Sequence, residues 1–146
     1  MTYSPFRHIP SIIWKNRPIQ FTFFLTRRCN AKCPFCFYIS QKNLAVSAAN
    51  ELTLEEIGKI APQLGRLLWL AFSGGEIFMR SDIAEITKLF YRTNRPSIIL
   101  LPTNGLLQDT ICRNVEDILQ SCPKSSIVVK LSLDGPEPVH DELRGV

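Results

Sequence analysis

The sequence predicts an α/β fold in which parallel strands alternate with helices. Four short apolar runs are rich in β-branched, aliphatic and aromatic residues, and a polar loop follows each run. The repeat length of about 30–35 residues is that of a βα unit. Strands that alternate with helices of about 10–15 residues are joined by right-handed crossovers, which leave the strands parallel.

The chain is long enough for one such domain. Its 146 residues can bury a real core, and 45% hydrophobic with 21% charged residues is typical of a globular protein. We expect a lead-in over residues 1–18 and the α/β domain over residues 19–146. Pro5, Pro10 and Pro18 predict that the lead-in is irregular and lies across the bottom or edge of the domain.

The predicted strands are residues 19–25, 67–72, 97–101 and 127–133. The first strand is predicted to be buried and leads directly into a loop rich in cysteine. That loop is expected to continue through a polar stretch to residue 50. The second strand is nearly all apolar, so we expect both of its faces to be buried.

Helices are predicted after the first three strands. Thr53 and Glu56 form the sequence pattern of a capping box, so the first helix should begin there. Ser81 is the expected cap of the second helix, and the third is expected over residues 108–120. The chain ends where another helix is expected to begin.

Charge and hydropathy argue against nucleic acid and membrane partners. The net charge is +4 and the basic residues are scattered, with Arg27 and Arg28 the tight basic pair before the cysteines. No apolar run approaches the roughly 20 residues that span a bilayer, and no secretion signal is evident. We expect neither partner.

Cysteine usage indicates a reducing compartment. The chain has five cysteines, an odd number, and three of them are clustered, which argues against a disulfide framework. We therefore expect a cytoplasmic protein. Cys112 and Cys122 lie around the third predicted helix and are interpreted as incidental thiols.

Cys29, Cys33 and Cys36 form a C-x3-C-x2-C motif directly after the first predicted strand. Three thiolates on one short loop can converge on one inorganic centre. Structural zinc sites and electron-transfer clusters normally have four protein ligands, so three ligands leave one metal position open for a substrate or cofactor. Buried or surface thiols, or half of a zinc site, are the alternatives.

Two more polar loops should lie beside this motif, because the carboxyl ends of parallel strands share one edge of the sheet. Ser73, Gly74, Gly75 and Glu76 end the second strand; there the glycines permit close backbone approach, and the carbonyls and the carboxylate can accept hydrogen bonds from an ammonium group. A tight strand-to-helix turn is the alternative. Asn104 ends the third strand and either offers its amide or forms an ordinary turn.

Polar and apolar residues alternate along the fourth strand. Lys130, Ser132 and Asp134 should share the face that points into the site, and the last two suit a ribose or a carboxylate group. Lys130 is either functional or a satisfied, partly buried cation. The apolar residues expected to pack under the helices are Val129, Leu131 and Leu133.

From residue 21 to the end, these motifs resemble the radical S-adenosylmethionine (radical SAM) enzymes. The resemblance implies that Cys29, Cys33 and Cys36 hold a 4Fe–4S cluster whose fourth iron binds the amino and carboxylate groups of S-adenosylmethionine. It also implies that Phe35 flanks the adenine and that the Gly-Gly-Glu motif contacts the amino group. The cofactor-binding residues expected from the motifs are Phe35, Ser73, Gly74, Gly75, Glu76, Asn104, Ser132 and Asp134.

The resemblance further implies a fold and an activity. The family core is a partial (β/α) barrel, of which this chain supplies about four βα units, so we expect a core that is incomplete at the C-terminus. A flavodoxin- or ferredoxin-like donor would supply the electron that cleaves S-adenosylmethionine to a 5′-deoxyadenosyl radical, which abstracts hydrogen from the substrate. The residues after the fourth strand resemble the branch that modifies peptides or builds peptide-derived cofactors. No side chain is assigned as a catalytic acid or base.

Two rival interpretations stay open. A small iron–sulfur or zinc-binding module without radical chemistry requires a fourth ligand near the loop, and His8 and His140 are the only histidines. The second rival is a fragment that folds but does not turn over.

Overall fold

The computed structural model describes residues 2–14, 17–37 and 48–146. Within them, four parallel strands form one sheet in the order in which they occur in the chain. The strands are β1 (Gln20–Thr26), β2 (Trp69–Gly74), β3 (Ile98–Thr103) and β4 (Ser126–Leu131). The predicted parallel α/β fold is confirmed. The loop predicted over residues 38–47 lies outside the described residues.

The helices of the described residues are α1 (Ile9–Trp14), α2 (Leu54–Leu64), α3 (Ile83–Asn94), α4 (Gln108–Ser121) and α5 (Val139–Arg144). Short 3-10 turns span Pro5–His8, Ala48–Asn50 and Ile77–Met79. In this part of the chain, no helix combines the length and the apolar character needed to cross a membrane.

The predicted capping box at the start of α2 is confirmed. The Thr53 hydroxyl accepts the backbone N–H of Glu56, and the Glu56 carboxylate accepts the backbone N–H of Thr53. The Ser81 cap is wrong, because α3 begins after Asp82. The Asp82 carboxylate caps nothing itself, since both of its oxygens accept hydrogen bonds from Arg80.

The core lies between the sheet and helices α2 to α4. The ring of Phe90 in α3 lies 6.0 Å from that of Phe21 and 6.1 Å from those of Phe23 and Phe72. β2 buries consecutive residues and so is covered on both faces, as predicted. β1 is less buried than expected, since its exposed and half-buried residues alternate until its last two positions. Full burial of an aromatic or aliphatic side chain stabilises the fold by about 1.5–3 kcal/mol.

The prediction for the apolar residues of β4 is wrong. Val129, Leu131 and Leu133 are 41%, 57% and 73% exposed rather than packed under helices. β4 is an outer strand of the described sheet, and neither α4 nor α5 covers these side chains. The strand also ends at Leu131, so strict alternation no longer governs Ser132 and Asp134.

The predicted irregular lead-in is also wrong, because α1 and a 3-10 turn form despite the prolines. The segment does lie across the bottom of the sheet. The Tyr3 N–H donates to the Lys124 carbonyl at 2.7 Å, and Arg7 donates to the Arg95 carbonyl and the Ser97 hydroxyl. These partners precede β3 and β4, so the lead-in packs at the amino ends of the strands.

Candidate functional site

A cavity of about 260 Å³ opens at the carboxyl ends of the strands. β2 and β3 pair from Trp69 to Ala71, and their pairing ends there. Ser73 and Gly74 at the end of β2 and Pro102 and Thr103 at the end of β3 line the cavity. The site therefore lies at the ends of these two strands.

All three motif cysteines line this cavity, and each is partly buried. Burial raises the pKa of the Cys29 thiol, although hydrogen bonds from the Ala31 backbone and the Asn104 side chain act in the opposite direction. The Cys36 N–H donates to the Cys33 carbonyl at 3.2 Å, which forms a tight turn between the last two cysteines. The loop thus places three cysteines on the wall of one cavity.

The spacing of the thiols bears on which metal group fits. Among the described residues, no three Cys, His, Asp or Glu side chains are close enough together to hold a single metal ion. Sulfur ligands of one tetrahedral ion lie about 3.8 Å apart, given Zn–S bonds of about 2.3 Å. A 4Fe–4S cluster binds each thiolate to a different iron, so its ligands are more widely spaced. The described thiols are therefore not arranged for a single ion, and three cysteines on one cavity are a donor set that a 4Fe–4S cluster can use.

Gly74 and Gly75 bring the cysteine loop against the end of β2. A Cβ on Gly74 would lie 2.2 Å from the Thr26 carbonyl oxygen, and one on Gly75 would lie 2.0 Å from that of Arg28. Gly74 also has φ +125°, a conformation that side chains disfavour. The N–H groups of Gly75 and Glu76 donate to the same two carbonyls at 2.8 and 2.9 Å. The glycines therefore position the loop as well as border the cavity.

Glu76 is nearly fully buried, and its carboxylate is held by protein donors. It accepts hydrogen bonds from the Phe78 N–H, the Thr103 hydroxyl and the Asn104 N–H, at 3.1, 3.1 and 2.7 Å. It joins the end of β2 to the end of β3. The structure places it at the cavity, as the sequence predicts, but with most of its acceptor capacity already used.

Asn104 reaches from β3 to the cysteine loop. Its side-chain N–H₂ donates to the Asn30 side-chain oxygen at 2.8 Å and lies 3.8 Å from the Cys29 sulfur. Its own oxygen accepts the Leu106 N–H at 3.0 Å, which fixes the orientation of the amide. The predicted amide donor is thus directed at a cysteine thiol.

The C-terminal end of α5 packs against the cysteine loop. The Arg144 carbonyl accepts the Lys32 N–H at 2.9 Å and lies 3.6 Å from the Cys33 sulfur. The Arg144 guanidinium lies 3.8 Å from the same sulfur and 5.6 Å from the centre of the Phe35 ring. α5 therefore adds a positive charge to the cavity wall.

Of the predicted cofactor residues, Asp134 alone does not line the cavity. Its carboxylate lies 2.5 Å from Nε of Arg144 in an ion pair. Ser132 and Phe35 do line it, whereas Lys130 is exposed on β4. Cys112 is exposed and Cys122 is buried, and neither borders the site.

A group of charged residues next to the cysteine loop was not predicted from the sequence. Arg28 donates to both oxygens of Glu51 at 2.7 and 2.9 Å, and the Thr26 hydroxyl also donates to Glu51. Arg80 lies 3.7 Å from Glu51 and donates to the Leu25 carbonyl at 3.2 Å. No local sequence pattern predicts these contacts, because Glu51 is 23 positions beyond Arg28.

These residues tie together the two ends of the long cysteine loop, and we call them the loop clasp: Arg28, Glu51, Arg80 and Asp82. Burial acts to raise the pKa of Glu51, but hydrogen bonds from Arg28 and Thr26 hold it below its ordinary value. The Arg80 hydrogen bond likewise lowers the pKa of Asp82. Both carboxyl groups are therefore ionised at neutral pH.

Comparison with known proteins places these features in a family context. A family model described as the radical SAM superfamily matches residues 23–146. The subtilosin biosynthesis protein AlbA of Bacillus subtilis is 34% identical over 131 residues, covering 88% of this chain and 27% of that protein. The Fe-coproporphyrin III synthase of Methanosarcina barkeri is 32% identical over 139 residues, covering 94% of this chain and 30% of that protein.

SuiB of Streptococcus suis shares the fold. Its structure with bound S-adenosylmethionine aligns with a TM-score of 0.67 at 22% identity, covering 96% of this chain and 32% of that one. Its structure with the precursor peptide SuiA aligns with a TM-score of 0.65. The chain spans only 27% and 30% of the lengths of the two curated relatives.

Proposed function

This chain belongs to the radical SAM superfamily, and from that premise we propose that its cavity binds a 4Fe–4S cluster and S-adenosylmethionine for radical chemistry. One observation carries the proposal. The three cysteines of the C-x3-C-x2-C loop line the same cavity as the Gly-Gly-Glu loop and Asn104. The two curated relatives and SuiB are consistent with it.

In this proposal Cys29, Cys33 and Cys36 hold the cluster as thiolates, and binding of iron removes their protons. A bound, reduced cluster would supply the chemistry of one-electron cleavage of S-adenosylmethionine and, through it, of hydrogen-atom abstraction from a substrate. Each of the three cysteines is partly buried, which limits the contact of its sulfur with water.

The chain's other residues at the cavity would orient S-adenosylmethionine. Ser73 and Gly74 pair with β1 but not with β3, so a backbone carbonyl there that points away from β1 can accept a hydrogen bond from the ammonium group. Glu76 would hold the Gly-Gly-Glu loop in place through its hydrogen bonds to Thr103 and Asn104. The Ser132 hydroxyl and the Arg144 guanidinium can bind the carboxylate group, and Phe35 offers an exposed ring face to the adenine. Asp134 would contribute indirectly, by orienting the Arg144 guanidinium through their ion pair.

The substrate class and partners belong to the proposal as well. SuiB has been solved with a precursor peptide, and the second relative is named for porphyrin synthesis. We therefore propose a peptide or a cofactor precursor as substrate and a flavodoxin- or ferredoxin-like protein as electron donor. The odd, clustered cysteines favour a reducing, cytoplasmic setting.

Anaerobic reconstitution with iron and sulfide, followed by dithionite and S-adenosylmethionine, tests the proposal. We expect a 4Fe–4S absorption and EPR signal and release of 5′-deoxyadenosine. Cys33→Ala should abolish both, whereas Cys112→Ala, at an exposed thiol outside the cavity, should abolish neither. Tight zinc binding without iron uptake would favour the zinc module. A cluster without cleavage would favour a fragment that does not turn over.

A further inference from the structure

Two N–H donors approach two different cysteine sulfurs at the cavity. The Asn104 amide lies 3.8 Å from the Cys29 sulfur, and the Arg144 guanidinium lies 3.8 Å from the Cys33 sulfur. They come from different elements of the fold, one from the residue after β3 and one from α5. Both distances are within the range for hydrogen bonds to sulfur.

Both donors are held in place by other contacts. The Leu106 N–H and the Asn30 oxygen fix the Asn104 amide. Asp134 pairs with Arg144, whose backbone carbonyl is fixed by the Lys32 N–H at 2.9 Å. Arg144 and Asp134 keep only 16% and 29% of their side-chain exposure. Neither donor is therefore a mobile surface group that meets sulfur by chance.

Reduction adds one negative charge to a cluster and its thiolates. Hydrogen bonds to the sulfurs and nearby positive charge stabilise that charge, and so they raise the reduction potential. The Arg144 guanidinium contact persists when the Cys33 thiol loses its proton on iron binding, because the guanidinium is the donor. The Asn104 contact with Cys29 persists for the same reason.

We infer that Asn104 and Arg144 are positioning residues that raise the reduction potential of the cluster by donating N–H groups to Cys29 and Cys33. This inference rests on the proposed function, since it requires the cluster. Asp134 moderates the effect because its negative charge is paired with Arg144. The chain thereby sets how readily an external low-potential donor can reduce the cluster.

The test measures the fraction of reduced cluster by EPR at a series of fixed potentials, without S-adenosylmethionine. Arg144→Gln and Asn104→Leu should each lower the reduced-to-oxidised ratio at a given potential by about tenfold, which is about 59 mV for one electron. Asp134→Asn should change the ratio in the opposite direction, because it leaves the guanidinium charge uncompensated. Arg144→Lys should restore part of the loss.

Arg92→Gln removes the same charge from the exposed side of α3 and serves as the matched control, with a ratio within about twofold of the unmodified chain. General destabilisation cannot produce shifts of opposite sign at Arg144 and Asp134. If Asn104→Leu fails to take up a cluster, the Arg144 and Asp134 variants decide the question. If all cluster-loaded variants had the same reduced-to-oxidised ratio as the unmodified chain, this inference alone would be overturned. A chain that binds no cluster would overturn the proposed function and this inference with it.

Discussion

At the scale of single residues, Gly75 tests the fit between the cysteine loop and the sheet. Gly75→Ala would place a methyl group against a backbone carbonyl, which cannot rotate away as a side chain can. We expect a loss of about 1–3 kcal/mol in the free energy of unfolding, together with poor iron uptake. Urea denaturation and iron analysis of the reconstituted chain measure the two effects.

Gly58→Ala is the matched control. Gly58 lies inside α2, and its added Cβ would sit 3.5 Å from Leu89, an ordinary contact. Alanine is the better helix former, so this variant should be up to about 1 kcal/mol more stable. If both glycine variants behaved alike, close packing at Gly75 would not be what holds the loop.

The position of Glu76 could be predicted from the sequence, but its hydrogen-bond partners could not. Its place at the cavity could be predicted, because it directly follows a buried strand of a parallel sheet. Its partners could not, since Thr103 and Asn104 are 27 and 28 positions away and nothing local pairs them with Glu76. The same limit applies to Asn104, whose contact with Cys29 spans 75 positions.

At the scale of elements, the loop clasp should contribute substantially to stability. Glu51→Gln removes a charge whose side chain is 11% exposed and leaves Arg28 without its anionic partner. Breaking a buried pair in this way costs about 3–5 kcal/mol. We expect the free energy of unfolding, measured by chemical denaturation, to fall by an amount near the lower limit of this range. The reason is that the Arg28 side chain is still 25% exposed.

The exposed pair of Glu55 and Lys59 in α2 provides the comparison. Glu55→Gln removes the same charge from the same region of the sequence but should cost no more than about 0.5 kcal/mol. Equal losses for Glu51→Gln and Glu55→Gln would show that the clasp is not a stabilising feature.

The clasp also predicts a loss of stability in acid. Glu51 and Asp82 have pKa values held below 4.5 and 3.8, so their unfolded forms bind protons at higher pH than their folded forms. The stabilisation is therefore complete above about pH 4.5 and declines as the pH falls through the lowered values. Melting temperatures from pH 7 to pH 3 should fall less steeply for Glu51→Gln; parallel curves would contradict this assignment.

An element could be predicted when the sequence pattern that specifies it lies within a few neighbouring residues. The four strands and the capping box of α2 depend on neighbours within a few residues, and the sequence pattern was sufficient for them. The lead-in was misjudged because proline is tolerated in the first turn of a helix, where Pro5 and Pro10 lie. The exposure of β4 was missed because alternation predicts two faces of a strand but not whether anything covers them.

At the scale of the whole molecule, the exposed apolar side chains of β4 should make the isolated chain associate. Val128, Val129 and Leu131 expose apolar surface on an outer strand, which is a typical site of strand pairing between molecules. We expect concentration-dependent oligomers by light scattering. Val129→Lys should suppress them, because charge on an outer strand opposes pairing.

Thr93→Lys, on the exposed side of α3, adds the same charge elsewhere and should leave association unchanged. Equal suppression by both variants would point to net charge rather than the β4 surface. A chain that stays monomeric at high concentration would refute the expectation.

The lead-in packs against the end of the sheet that faces away from the cavity, through Tyr3 and Arg7. Its first residues are therefore a natural point of attachment. A chain tethered there to a solid support would turn its open face toward the bulk solution, so that a dissolved substrate and the proposed electron donor could still reach the cavity.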